Sequence, residues 1–109
     1  MKIQKYKKNW CMGYISSREI DGSFIPQKVQ NLVIRDFAQR NNLNYILSST
    51  EYKMKNSFLM LNSLLSKKNK NFDGIIIYSI FLLKDYPSLK SIFENLRKNN
   101  LKIYCALEE

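Results

Sequence analysis

The sequence predicts a three-layer α/β sandwich in the order βαβαβαβ, with a four-stranded, mainly parallel sheet of the resolvase-like or flavodoxin-like kind. Three observations predict it. Short apolar runs recur with helix-length stretches between them, which suits crossover connections. The run Ile75, Ile76, Ile77 has no polar alternation, as in a central parallel strand buried on both faces. Polar residues of an uncommon kind cluster directly after the first three runs: Ser16, Ser17 and Arg18, then Ser48 to Tyr52, then Tyr78 and Ser79. In an open parallel sheet, groups that follow strands meet in one crevice, where such folds bind ligands.

The first strand is predicted over Trp10 to Ser16. The first helix starts near Pro26, a residue suited to an opening helical turn, and stops at Asn41 and Asn42. Asn44 to Ser48 is the second strand. The second helix runs from about Asn56, a plausible cap, to Ser66. Phe72 to Ser79 is the third strand. The third helix runs from about Pro87 to Lys98, with Leu89, Ile92, Phe93 and Leu96 at helical spacing, and Leu101 to Leu107 is the fourth strand. At 109 residues the chain makes one α/β domain over residues 10–109, behind a basic mobile tail over residues 1–9. No apolar run is long enough for a bilayer, and the lysines of the tail lead into no apolar leader segment, so the cytoplasm is the expected compartment and no membrane partner is expected.

The formal charge of +9 raises nucleic acid as a partner. Of the 18 basic residues, however, only four are arginine, and the lysines are spread along the whole chain. A face built to grip phosphates favours the bidentate arginine fork, so a solvated basic surface is expected in preference to a nucleic-acid interface. The chain has no histidine, which removes imidazole base catalysis and histidine metal ligands. Cys11 and Cys105 fall in predicted strands, where thiols act as small apolar groups, and two separated cysteines make no zinc site. The glycines Gly13, Gly22 and Gly74 stand apart, so there is no phosphate-cradling loop. Neither a cofactor nor a metal is expected.

Candidate site residues follow from the crevice. On the first helix Val29, Val33, Ile34, Phe37 and Ala38 form an apolar arc, and Gln27 and Gln30 fall within it near the helix start. There the two amides either bind a ligand or hydrogen-bond the preceding loop. Arg35 lies off the arc and is read as solvent-facing. Arg18 could pair a carboxylate or phosphate on a ligand, or Glu19 or Asp21 nearby. Glu51, between Thr50 and Tyr52, is the natural general base if the protein is an enzyme, and a surface glutamate otherwise. Tyr78 and Ser79 could donate to a substrate oxygen, or Tyr78 could pack at the core edge. The expected catalytic set is Glu51, Tyr52 and Tyr78. The expected substrate-binding set is Ser16, Ser17, Arg18, Gln27, Gln30, Ser48, Thr50 and Ser79.

Two resemblances attach to these residues. Gly13-Tyr14-Ile15-Ser16-Ser17-Arg18, Gln27 and the Asp73-Gly74-Ile75-Ile76-Ile77 strand resemble the catalytic domain of serine recombinases of the resolvase and invertase type. That family follows its later central strand with Asp-Arg-Leu, where this chain has Phe81-Leu82-Leu83, and it uses an arginine cluster. The resemblance therefore implies a fold and not strand exchange. A resemblance spanning nearly the whole chain from Gly13 rests on Gly13-Tyr14-Ile15, Ser17-Arg18, Pro26-Gln27, Val29-Gln30-Asn31-Leu32-Val33-Ile34-Arg35-Asp36, Leu47-Ser48, Thr50-Glu51-Tyr52, Asp73-Gly74-Ile75 and Tyr78-Ser79. These resemble the small sporadic carbohydrate cluster proteins of bacterial gene clusters for surface polysaccharide and unusual-sugar biosynthesis. The resemblance implies a pathway context and not a reaction, and in that context a sugar or sugar-phosphate is the expected ligand. Two functions are then open. One is a cofactor-free isomerase, epimerase or lyase on an acidic or phosphorylated sugar. The other is a noncatalytic binding or accessory subunit, with Leu32 and Leu59, off the apolar arcs of their helices, touching a pathway enzyme or a second copy in a homodimer.

Overall fold

The computed structural model describes residues 9–20, 22–51, 58–66 and 71–107. Strand β1 (Trp10–Ser16) leads to helix α1 (Gln27–Arg40), strand β2 (Asn44–Glu51), helix α2 (Leu59–Ser66), strand β3 (Gly74–Ile77), a 3-10 turn (Ile80–Leu83), helix α3 (Leu89–Lys98) and strand β4 (Lys102–Cys105). Every strand pairing is parallel and the sheet order is β2-β1-β3-β4. The predicted α/β sandwich is the fold observed. Of the tail expected over residues 1–9, only Asn9 lies within the described residues.

Strand alternation divides the core into two. Cys11 and Ile15 of β1, Ile76 of β3 and Ala106 pack with Ile34, Phe37 and Ala38 of α1. Tyr14, Ile75 and Ile77 pack with Leu61, Leu64 and Leu65 of α2 and with Ile92 and Leu96 of α3. One helix thus covers one face of the sheet and two cover the other. Cys11 and Cys105 belong to opposite cores, which suits their reading as small apolar groups. Ile75, Ile76 and Ile77 are all fully buried, as a strand between two helical layers requires.

Helices α1 and α3 end alike. Asn42 and Asn100 have φ of 56° and 54°, the left-handed position where asparagine substitutes for glycine. Beyond them the Leu43 N–H reaches the Ala38 carbonyl at 2.9 Å and the Leu101 N–H reaches that of Leu96 at 2.8 Å, closing two Schellman motifs. The same Asn-Asn-Leu stops each helix, and the next strand begins one residue beyond it.

Boundaries differ from expectation at several ends. Strand β2 runs to Glu51 rather than Ser48, because β1 supplies partners for three more residues, up to Ser16 opposite Glu51. Strands β3 and β4 are shorter than expected, although Ala106 and Leu107 N–H groups still reach the Ile77 and Tyr78 carbonyls. Helix α3 begins at Leu89 with Ser88 as its cap, its hydroxyl receiving the Ser91 N–H. The cap expected at Asn56 lies outside the described residues, and α2 is described from Leu59. The buried strip of α1 is narrower than the expected arc: Gln30, Ile34, Phe37 and Ala38 are buried, whereas Val29 and Gln27 are exposed on its flank.

Strand β2 carries a bulge. Cys11 pairs with Tyr45 but Gly13 pairs with Ser48, so three steps along β2 match two along β1. Ser48 consequently lies against Gly13, where a Cβ would come within 2.2 Å of the Ser48 Oγ. Glycine is needed here for close approach. Because side chains alternate, the extra residue reverses the facing of everything after it.

Candidate functional site

Helix α1 leaves β1 on one face and α3 leaves β3 on the other, so the order of the sheet reverses between these strands. Their carboxyl ends, Ser16 to Arg18 and Tyr78 to Ser79, flank the place where open α/β sheets bind ligands.

The loop from β1 to α1 is a tight hairpin over this crevice. Ile20 and Ser23 exchange backbone hydrogen bonds of 2.7 and 3.1 Å, and Gly22 takes φ of 84° in the turn. The Asp21-Gly22 dipeptide is the signal in the sequence that could have found it, since such pairs favour two-residue hairpin turns. Gln30 anchors the far end of the loop. Its amide oxygen accepts the Ser16 N–H at 3.1 Å, and its amide nitrogen donates to the carbonyls of Ser16 at 2.7 Å and Ile25 at 2.9 Å. Gln30 is wholly buried, so the alternative in which an inward amide holds loop backbone is the one observed.

Two depressions open beside the hairpin. One, of about 240 Å³, is lined by Ile20, Ser23 and Ile25 of the hairpin and by Tyr78, Ser79, Phe81 and Leu107. The other, of about 230 Å³, is lined by Ser17, Phe24, Ile25, Pro26 and Gln27. Ile25 belongs to both. Ser79 is buried and its hydroxyl accepts the Phe81 N–H at 3.1 Å, which fixes the 3-10 turn that presents Phe81 to the crevice.

The other described residues of the predicted sets line neither depression. Ser16 is fully buried, and its hydroxyl accepts both the backbone N–H and the Nε–H of Arg18, at 3.0 and 3.2 Å. The Arg18 guanidinium sits 4.4 Å above the Phe58 ring, an arrangement worth about 0.5 to 2 kcal/mol. Ser48 is on the α1 side, donating to Asn31 Oδ1 at 2.6 Å and sharing a 2.7 Å hydrogen bond with Tyr45. Thr50 pairs with Ile15 within the sheet. Arg35 is exposed, as expected, with its guanidinium 5.9 Å over the Tyr45 ring. Tyr52 lies outside the described residues.

Glu51 occupies an unexpected setting. Past the bulge it faces α2, fully buried, and accepts the Tyr14 hydroxyl at 2.8 Å. It also accepts the backbone N–H of Met60 at 3.1 Å and of Leu61 at 3.2 Å. Those are the second and third residues of α2, whose preceding residue Phe58 has no side-chain acceptor of its own. Glu51 therefore caps the helix from a neighbouring strand and sets its charge at the positive end of the helix dipole. Burial, followed by the hydrogen bond to this carboxylate and its negative charge, raises the Tyr14 pKa well above the usual tyrosine value, while Arg18 acts in the opposite sense. Tyr14 was missed in the sequence because an aromatic residue inside a strand reads as core.

No protein-family model, curated protein or solved structure matches this chain.

Proposed function

We propose that the protein binds a small polyhydroxylated ligand of the sugar class in the crevice between β1 and β3, and that it serves bacterial surface-carbohydrate or unusual-sugar biosynthesis as a cytoplasmic binding or accessory component. The observation that carries this reading is the depression at the reversal of the sheet, lined by the hydroxyl and aromatic side chains of Ser23, Tyr78, Ser79 and Phe81, with a second depression beside it on the β1–α1 loop that adds Ser17, Phe24 and Gln27. The resemblance to sporadic carbohydrate cluster proteins agrees with the ligand class. Binding is preferred to proton transfer because the carboxylate expected as general base, Glu51, is fully buried and already receives three hydrogen-bond donors. Leu32 and Leu59, 59% and 69% exposed, give an accessory subunit apolar positions for a partner chain.

Thermal unfolding against sugars, sugar phosphates, nucleotide sugars and nonulosonic acids, with short DNA as control, tests the reading. A ligand at about 100 times its dissociation constant stabilises by roughly 2.7 kcal/mol, or about 10 °C in so small a domain. Tyr78→Phe should reduce the shift. A panel without any sugar-dependent shift refutes the proposal, and a salt-sensitive shift with DNA alone replaces it with a nucleic-acid reading.

A further inference from the structure

The crevice is divided, and the division bears on the size of the ligand. Each depression, at about 230 and 240 Å³, falls below the roughly 300 Å³ at which pockets for drug-sized ligands begin, whereas the two together fall inside that range. Ile25 lines both, and its carbonyl is held by Gln30, which also holds both backbone groups of Ser16. A divider fixed in this way is pre-organised, so a ligand crossing it need not order the loop.

The chemistry of the two halves is alike. Ser17 and Gln27 stand in one, and Ser23 and Tyr78 in the other. Each also has a partly exposed aromatic ring, Phe24 at 60% and Phe81 at 44%. Among the described residues lining either depression none is charged, although a quarter of the chain consists of Asp, Glu, Lys and Arg. Hydroxyl and amide groups both donate and accept, which matches a neutral polyol that does the same. A phosphate or carboxylate on the ligand would call for a cation fork, and the nearest arginine in sequence, Arg18, is stacked over Phe58 instead.

We propose that the crevice takes an uncharged glycan of at least two linked sugar units, one unit in each depression, with the linkage crossing Ile25. This rests on the sugar-binding reading above and narrows it: the ligand is neutral and longer than a monosaccharide.

The test is binding of labelled full-length protein to an array of neutral, uronic and phosphorylated glycans of one to six units, followed by titration calorimetry on the best neutral glycan and on its separate units. The two-unit glycan should bind at least tenfold more tightly than either unit. Gln27→Ala and Phe81→Ala, both at exposed positions, should each weaken it about tenfold, while a single unit should respond to only one of the two variants. Equal affinity for one and two units, with one variant silent throughout, overturns the two-subsite proposal and leaves the sugar reading intact. Preference for uronic or phosphorylated glycans overturns the neutrality. Absence of binding to every glycan overturns the sugar reading and this proposal together.

Discussion

Replacing Gln30 by leucine isolates the contact that builds the crevice. The side chain is about the same size, so little cavity is created, but its three hydrogen bonds are lost. The N–H and C=O of Ser16 lie in a fully buried residue, out of reach of bulk solvent, and the Ile25 carbonyl is partly buried. A buried backbone group left unmade costs about 1 to 3 kcal/mol. Two such groups, offset a little because an apolar side chain is cheaper to bury than an amide, give a loss of about 3 kcal/mol. Against a stability of about 5 to 15 kcal/mol for a single domain this is large, and the unfolding midpoint should fall by about 12 °C or more. Gln27→Leu is the control, because the same change three residues earlier falls on an exposed position and should cost within about 0.5 kcal/mol. Urea unfolding with an unchanged slope would assign the difference to the folded state. If the two variants unfold within about 0.5 kcal/mol of each other, Gln30 does not hold the β1 end and the hairpin, and the crevice is not pre-organised as argued.

Four further outcomes are expected. Glu51→Gln should lose about 1 to 3 kcal/mol of stability by weakening the charged cap of α2, with sugar affinity unchanged; unchanged stability together with lost sugar turnover would return Glu51 to the role of base. Gly13→Ala should cost about 1 to 3 kcal/mol through the clash with Ser48, and Ser48→Gly in the same chain should recover much of it in a double-mutant cycle. Asn100→Ala should destabilise by about 1 kcal/mol, whereas Asn100→Gly should be neutral or better, as read by chemical denaturation. Burial raises the Cys11 pKa from 9.0 to about 11 and the Tyr14 pKa above the ordinary tyrosine value, so both groups ionise more readily in the unfolded chain. Stability from them is intact below about pH 9 and is lost as pH rises, through about 11 for Cys11 and further for Tyr14; Tyr14→Phe should flatten the fall above pH 10.

The layering was legible because it depends on composition at low resolution: three isoleucines in a row mark a central strand, and Asn41 and Asn42 mark the end of the first helix. The crevice was partly legible for the same reason, since Ser17, Tyr78 and Ser79 need only follow their strands to reach it. Gln30 was legible in direction but not in partner. Helical spacing turns its amide inward, but only the path of the hairpin shows that it meets the backbone of Ser16 and Ile25. The Ile20–Ser23 bridge is announced in the sequence only by the Asp21-Gly22 dipeptide, a two-residue signal carrying no periodicity, and the aromatic Phe81 reaches the crevice through a 3-10 turn whose apolar sequence resembles any core segment.

The bulge in β2 explains the largest gap between reading and structure. Without it Tyr45, Leu47, Ser49 and Glu51 would share one face, and the carboxylate would point toward α1. One inserted residue reverses the alternation, so Tyr45 and Ser48 both face α1 while Glu51 turns to Tyr14 and the start of α2. The neighbours of Glu51 in sequence, Thr50 and Tyr52, suggest a polar loop above the sheet, yet the carboxylate's partners are a strand residue and two helix amides. Gly13 is the counterpart of the same event, since only a residue without a Cβ leaves room for the displaced Ser48. The glycine, the bulge and the cap thus form one arrangement: close approach at Gly13 permits the bulge, the bulge turns Glu51, and Glu51 starts a helix whose preceding residue, Phe58, cannot cap it. This places the buried carboxylate in the fold's stability, which agrees with the proposal that a ligand is held by the uncharged groups at the ends of β1 and β3.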